Sequence, residues 1–469
     1  MQVKKIISFA IGPLSVAVIG LFTLPLIAWF YSPEDIGRFS MLQVVLSLVF
    51  LIYGGGLDQA YMREYHEDEK KGPLFKAVVT PGLILLILTM LFLMISPWVL
   101  SQIVFDESAL LINFMLYLIV LISFINRFLT LILRMKELGM VYSAVQILPK
   151  LLFITILILF IFTKEEFVFE DLMIANTWAL LITFMFIVFK TKNDWMEAFN
   201  STIDWTRQKR LFVYAIPLIG AGIAFWGLTT IDKVLLKSIS GLHELGVYSV
   251  AVNFAGAALL LQVIFSTVWA PLVYKWAKQG VDSQKIKDVM DYTVVGIVLI
   301  WSVLGMFSWV FTFLLPLEYS EVKNIVLAVV AYPLLHTLSE SSGIGIGIVR
   351  KTIYTFFAAL VSFSINVVLN YLLIPDYGAK GSAVSLAISF FIYFMIRAEV
   401  SAKIWCSFER RRMYIMVSAL SLVSCIINLN YFEYYYISLA YLILALCGIY
   451  LFRVEVNTIL GIFLKKLNL

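Results

Sequence analysis

The chain is poor in charge. Of its 469 residues only 14% are Asp, Glu, Lys or Arg, against roughly 25% in an ordinary soluble domain. A soluble protein of this length is therefore excluded. Cysteine is scarce as well. Cys406, Cys425 and Cys447 all lie late in the chain, with no CxxC and no ligand spacing. That excludes a metal site or disulfide framework and leaves them as small packing or membrane-facing residues. No P-loop is present, so the chain does not hydrolyse ATP, and no HExxH, GxSxG or Rossmann glycine pattern sits in a suitable context for an enzyme. No period-2 alternation is sustained, which argues against a barrel.

What the chain has instead is hydrocarbon, with 62% hydrophobic residues in runs of the roughly 20 residues that a membrane-crossing helix needs. The pattern predicts an all-α integral membrane protein with about fourteen spans: 7–30, 39–62, 76–104, 109–133, 140–163, 170–190, 212–237, 246–274, 290–316, 324–349, 352–374, 380–402, 413–430 and 434–452. The first run is longer than a signal-peptide core and lacks a small-residue cleavage site before Tyr31, so it reads as a permanent span.

The 35 Lys and Arg residues support this count. With the N-terminus inside, 27 fall on the inner side, 5 on the outer side, and Arg127, Lys150 and Lys233 lie within spans. Loop-by-loop alternation of this kind is the positive-inside signature and places both termini in the cytoplasm. The net charge of +5 reports topology, so no nucleic-acid partner is expected. No loop is long enough to fold alone. The longest, Thr191–Leu211, mixes Trp195, Met196, Phe199, Ile203 and Trp205 with charged residues and reads as an amphipathic helix on the cytoplasmic face.

This loop divides the chain into an N-lobe of six spans (1–190), the linker (191–211), a C-lobe of six spans (212–405) and two extra spans with a tail (406–469). An internal repeat agrees with the division. Glu34-Asp35-Ile36-Gly37-Arg38-Phe39-Ser40 and His243-Glu244-Leu245-Gly246-Val247-Tyr248-Ser249 both run acidic, aliphatic, Gly, any, aromatic, Ser, at equivalent places in the two halves. Pro13 and Pro217 match in the preceding helices. Halves of six spans have the same orientation and are related by an axis along the membrane normal.

Ionisable residues inside spans cost about 2.5–3.5 kcal/mol each at a helix centre and need a reason. Lys150 lies about 15 Å into the fifth span and follows Pro149. It either faces a water-filled cavity or pairs with a carboxylate for packing. Glu340 lies near mid-depth in the tenth span, with His336 one turn away among serines and glycines. It reads as a proton- or cation-coupling carboxylate, or as a neutral Glu bonded to a neighbouring helix. Arg127, Lys233 and Arg38 are further candidate cavity cations, although Arg127 can also snorkel. Asp232 is too short to snorkel, and Asp58 reads as a possible intrahelical partner of Arg63. Asn366 and Asn370 share a helix face and favour hydrogen bonding between helices.

The stretch Asn366-Val-Val-Leu-Asn370-Tyr-Leu-Leu-Ile374-Pro375-Asp-Tyr-Gly378-Ala-Lys-Gly381-Ser-Ala resembles the NxxLNxxLIPxxGxxGAA signature of polysaccharide flippases. Ile231-Asp232-Lys233 through Leu245-Gly246-Val-Tyr248 is similar to their DrxxLxxxxGxxxxGxYxxA signature, with Lys233 for the commoner Arg and Ser382 for the first Ala of the other motif. The family is the polysaccharide branch of the multidrug/oligosaccharidyl-lipid/polysaccharide flippase superfamily, the O-antigen or capsule repeat-unit translocases. The resemblance implies two six-helix lobes around a central cationic cavity. It further implies an undecaprenyl-pyrophosphate-linked glycan as substrate and the bacterial cytoplasmic (inner) membrane as location, with lipids and polymerase or chain-length machinery as partners. No cofactor is implied, only coupling to H+ or Na+. Lys150, Arg127, Arg38 and Lys233 become candidates for the pyrophosphate, and Glu340, Asp232, Asp58 and His336 for coupling or gating. The alternative is an ion-coupled multidrug exporter of the same superfamily.

Overall fold

The structure, a computed structural model, describes residues 2–96, 99–202, 204–280 and 283–466; side chains are described from Ser8 onward, except Ala10 and Ser283, to Gly461. Ile203 of the linker therefore lies outside the described residues, as do the side chains of Lys4, Lys5, Lys465 and Lys466. Among the described residues every regular element is helical. The chain forms two compact units, Met1–Ile223 and Ala224–Leu469.

The first unit contains α1 (Gln2–Phe30), α2 (Pro33–Gly54), α3 (Leu57–Glu64), α4 (Lys71–Ile95), α5 (Leu100–Phe105), α6 (Leu110–Met135), α7 (Gly139–Thr163), α8 (Phe169–Lys190) and α9 (Lys192–Asn200). It also contains the start of α10 (Trp205–Lys278). Local chemistry sets these boundaries. Ser32 caps α2, its hydroxyl accepting from the Asp35 amide at 3.2 Å, with Pro33 opening the helix and Glu34 and Asp35 in its positive first turn. The second expected span ends early, at Gly54, because Gly55 and Gly56 both take left-handed backbone. The third expected span stops at Ile95, just before Ser96 and a proline. In the core of the unit α1 lies close along α7, where Ser143 Oγ accepts from the Gly12 amide at 3.0 Å. Small residues let two helix backbones approach in this way in lipid.

The linker forms α9, held against α4. Glu197 accepts from the Gly72 amide at 3.1 Å, and Lys76 donates to the carbonyls of Phe199 and Ser201 at 3.1 and 2.6 Å. Phe199 remains 78% exposed and Trp205 74%, so the linker keeps an apolar face beside its ionic clamps.

The second unit holds the rest of α10, α11 (Ser283–Met306), α12 (Phe311–Leu314), α13 (Val322–Val329), α14 (Ala331–Ser342), α15 (Ile344–Ile348), α16 (Ile353–Ile404), α17 (Arg411–Leu429), α18 (Tyr434–Leu451) and α19 (Arg453–Lys466). The two extra spans, α17 and α18, belong to this compact unit. Ser438 donates to the Met306 carbonyl and Asn428 to that of Lys380, each at 2.8 Å.

Twelve helices are long and apolar enough to cross a membrane. Two of them are double. The 74 residues of α10 turn at Gly241 (φ 89°, ψ −178°) and the 52 of α16 at Gly378 (φ 51°, ψ −128°). Counting their arms separately raises twelve to about fourteen, as expected. Both glycines occupy backbone regions that residues with a Cβ rarely enter.

The two breaks differ in surroundings. A Cβ on Gly241 meets nothing within 4 Å, whereas one on Gly378 would lie 2.3 Å from Glu244 Oε2. Gly241→Ala should therefore cost only the backbone strain of about 1–3 kcal/mol, and Gly378→Ala measurably more. Thermal unfolding of the detergent-solubilised variants checks this order; equal midpoints would refute it.

Candidate functional site

In the first unit Lys150 lies eleven residues from Gly139, about 16 Å along the helix and near its centre. Ser143, Lys150 and Leu157 repeat at seven-residue spacing, which drifts only about 20° per repeat on an α-helix. Ser143 and Leu157 are buried, as is Phe153 one turn from Lys150. The exposed stripe of α7, Met140, Leu151, Ile158 and Phe162, runs about 100° around the helix. Lys150 thus belongs to the inward face, half-buried. Its ammonium has no hydrogen-bond or ion-pair partner among the described residues.

Phe153 stacks on Phe39 of α2 (5.4 Å, 10°). From Phe39 the same face of α2 continues through the exposed Gln43 to Phe50, over which the Arg127 guanidinium sits at 5.7 Å. Phe153, one turn from Lys150, and Arg127 therefore meet one face of α2 at points about 16 Å apart along it. Between Phe114 and Arg134 of α6, Arg127 is the one exposed residue. Its NH2 pairs with Asp58 at 3.2 Å, with half the Arg side chain still open. Asp58 thus pairs with α6 rather than with Arg63 of its own helix.

Arg38 is more fully engaged. It pairs with Asp35 at 2.9 Å and Glu107 at 3.7 Å, donates to the Phe105 carbonyl at 3.1 Å and lies over Phe169. The ionic cluster around Arg207–Asp68 (3.1 Å) and Arg210–Glu64 (3.2 Å) flanks a pocket of about 440 Å³ lined entirely by charged side chains. These pairs fasten the start of α10 to the segment following α3.

In the second unit Asp232 is 1% exposed and accepts the hydroxyl hydrogen of Tyr248, itself fully buried. Lys233, half-buried, shares one stripe of α10 with Trp226, Thr229 and Ser240 and has no ion-pair partner among the described residues. Asn366 and Asn370 are fully buried and bond to each other along α16 at 2.9 Å.

The span Leu317–Ser342 is the most buried of all. From Asn324 to Ser342 three residues alone escape full burial: Tyr332, His336 and Glu340. They recur every four residues and so share a face. Ser266 donates to Glu340. His336 stacks parallel on Tyr393 (6.0 Å, 4°), and the Arg397 guanidinium lies 5.3 Å from the same ring. Arg397 also donates to Ser339 at 3.0 Å. His336 Nδ1 and Arg397 Nε are both buried without a hydrogen-bond partner.

Sequence reasoning missed three of these residues. Glu244, at the acidic position of the second repeat, accepts from the Ala379 amide at 2.7 Å and caps the arm that follows Gly378. Its place in the repeat was the available signal. Arg397 sits seven residues from the end of α16 and counts among loop cations by position alone. Tyr332 is one of 23 tyrosines, and only its one-turn spacing from His336 marks it.

The result is a polytopic helical body, twelve of whose helices are long and apolar enough to cross a membrane. A family model for polysaccharide biosynthesis proteins matches residues 2–276, more than half of the chain, and the chain belongs to that family. It is 27% identical over 195 residues to the capsular polysaccharide biosynthesis protein CapF of Staphylococcus aureus. That match covers 39% of this chain and 48% of CapF, so the chain spans about half the length of that curated relative. Its fold is that of the lipid II flippase MurJ in an inward closed conformation (TM-score 0.66, 16% identity, 99% of this chain and 100% of that one). An outward-facing multidrug resistance MATE family transporter of the MOP superfamily is also similar (TM-score 0.58, 14% identity, 89% and 96% covered). The family agrees with the one read from the sequence, and the signature at Ile231–Tyr248 lies within the matched residues.

The Asp232–Tyr248 contact gives a direct test. Tyr248→Phe keeps the ring and strands one carboxylate oxygen, and should cost about 1–3 kcal/mol. Chemical denaturation of the purified protein measures it; an unchanged midpoint would show that Asp232 does not depend on this donor.

Proposed function

We propose that the chain flips undecaprenyl-pyrophosphate-linked oligosaccharide repeat units from the inner to the outer leaflet of a bacterial cytoplasmic membrane, with both termini in the cytoplasm. It does so by alternating access and without catalytic chemistry. The observation that carries this reading is Lys150, an unpaired cation on the inward stripe of α7. A pyrophosphate cannot cross hydrocarbon bare, because removing its charge from water costs many kcal/mol. A fixed ammonium in a hydrated cleft offsets that cost, while the polyprenyl tail stays in the bilayer.

Arg127, half open despite Asp58, is a second cation further along α2 that the pyrophosphate meets at another point of its path. Lys233, in the second unit, is like Lys150 a cation without an ion-pair partner among the described residues. Arg38, already neutralised by Asp35 and Glu107, positions α2 rather than substrate. Glu340 serves as the coupling carboxylate, taking up H+ or Na+, since no cation pairs with it among the described residues and its one donor is a neutral serine. Asp232 and Asp58 hold gating contacts to Tyr248 and Arg127. Export of cationic drugs fits less well, because it calls for several unpaired carboxylates and Glu340 is one, while Asp35, Asp58, Asp171 and Asp232 all have partners.

Lys150→Ala should lower surface glycan roughly tenfold or more, the equivalent of losing one buried charge contact, at unchanged protein level. Lipid-linked repeat units should then accumulate on the cytoplasmic side in leaflet-resolved labelling. Full glycan in this variant would remove Lys150 from the mechanism. Glu340→Gln should make flipping in proteoliposomes insensitive to imposed H+ and Na+ gradients. If the variant still responds like the parent, coupling lies elsewhere.

A further inference from the structure

The polar row on α14 is chemically distinct from the cations of the first unit. A helix side facing lipid would be apolar, yet the only partly open residues on this stretch are a tyrosine, a histidine and a glutamate one turn apart, along about 12 Å. Beside them lie the Arg397 guanidinium and two buried nitrogens, His336 Nδ1 and Arg397 Nε, that have no partner. Buried donors and acceptors are almost always satisfied in a resting protein. Of the buried polar atoms that lack a partner, these two stand beside a partly open polar row.

The chemistry of the place narrows the ligand that would suit it. Glu340 and Arg397 bring one charge of each sign to this place without pairing with each other, so it has no net charge to favour a free anion or a free cation. Ring faces are abundant: Tyr332 packs against Phe390 at 4.4 Å on one side and stays partly open, and Phe225 lies 5.4 Å from the imidazole. A ligand suited to this mixture is neutral overall, rich in hydroxyl groups that donate and accept, and has apolar C–H faces to lay on a ring. That is a carbohydrate.

We infer that the Tyr332–His336–Glu340 face with Arg397 is the sugar-binding subsite of the lipid-linked repeat unit, with Tyr332 as the ring platform. The inference rests on the flippase reading above and adds to it where the glycan is held. The sugars are read by these residues of the second unit. His336 and Arg397 supply hydrogen bonds to hydroxyls, and Tyr393 holds both in place from beneath.

Binding of two lipids to the purified full chain in nanodiscs tests this. One probe is undecaprenyl pyrophosphate; the other is the same lipid carrying the producing cell's own repeat unit. The parent protein should hold the glycosylated lipid about tenfold tighter or more, one good contact's worth. Tyr332→Leu and His336→Phe should abolish that difference while leaving affinity for the bare lipid unchanged, and Tyr332→Phe, which keeps the ring, should retain it. The subsite is overturned if the parent binds both lipids equally, or if the variants weaken both alike, as a purely structural role would. If the parent binds neither lipid, the flippase reading itself fails, and the subsite with it.

Discussion

Charge in a low-dielectric body must be paired, hydrated or lost, and that constraint sorts every ionisable group here. Toward the helix ends it is met by pairing. Arg38 takes Asp35 and Glu107, and Lys164 takes Asp171. Arg207 and Arg210 take Asp68 and Glu64. Pairs of this kind hold segments in register and contribute little beyond that. Deeper in, the rule is not met. Lys150, near the centre of α7, has no counter-charge among the described residues, and Arg397, seven residues from the end of α16, has two neutral hydroxyls and a ring where a carboxylate would be expected.

The two halves show the same device in different chemistry. The fourth span, α6, and the tenth, through α13 and α14, occupy equivalent places in the six-plus-six order, and each is the most buried span of its unit. One shows a single open residue along most of its length, Arg127; the other opens only through Tyr332, His336 and Glu340. The repeat motif diverges likewise. Asp35 serves its own helix, bonding Ser32 and Arg38, while its counterpart Glu244 reaches across sequence to cap the arm after Gly378. The aromatic position gives Phe39, stacked beside the neighbourhood of Lys150, and Tyr248, donor to Asp232.

This division explains what was readable beforehand. The number and order of spans follow from runs of apolar residues and alternating basic loops, both properties of the chain as a string, so they were legible almost completely. Where helices stop was less so at Gly55 and Gly56, which act through backbone angles that hydropathy does not register, whereas the breaks at Gly241 and Gly378 fell in gaps between expected spans. Lys150 stood out by depth alone. Arg397 did not, since seven residues from a helix end is within reach of snorkelling, and only packing shows its side chain turned onto Tyr393 and Ser339. The Asp58–Arg127 pair was hidden for a similar reason: an intrahelical partner lies near in sequence, while the actual one lies on another helix.

The two glycine breaks differ in their surroundings but share a tether. Gly378 is pinned, because Glu244 occupies the space beside it and bonds the next amide, so the angle between the arms of α16 is fixed by a charge-assisted cap. Gly241 has empty space where a side chain would be, yet the residues around it are tied as well. Ser240 donates to the Ile374 carbonyl at 3.4 Å, and Glu244 itself belongs to the arm of α10 that follows the break. One carboxylate thus fastens both breaks to each other, and the difference between the two glycines is steric: a side chain has room at one and collides at the other.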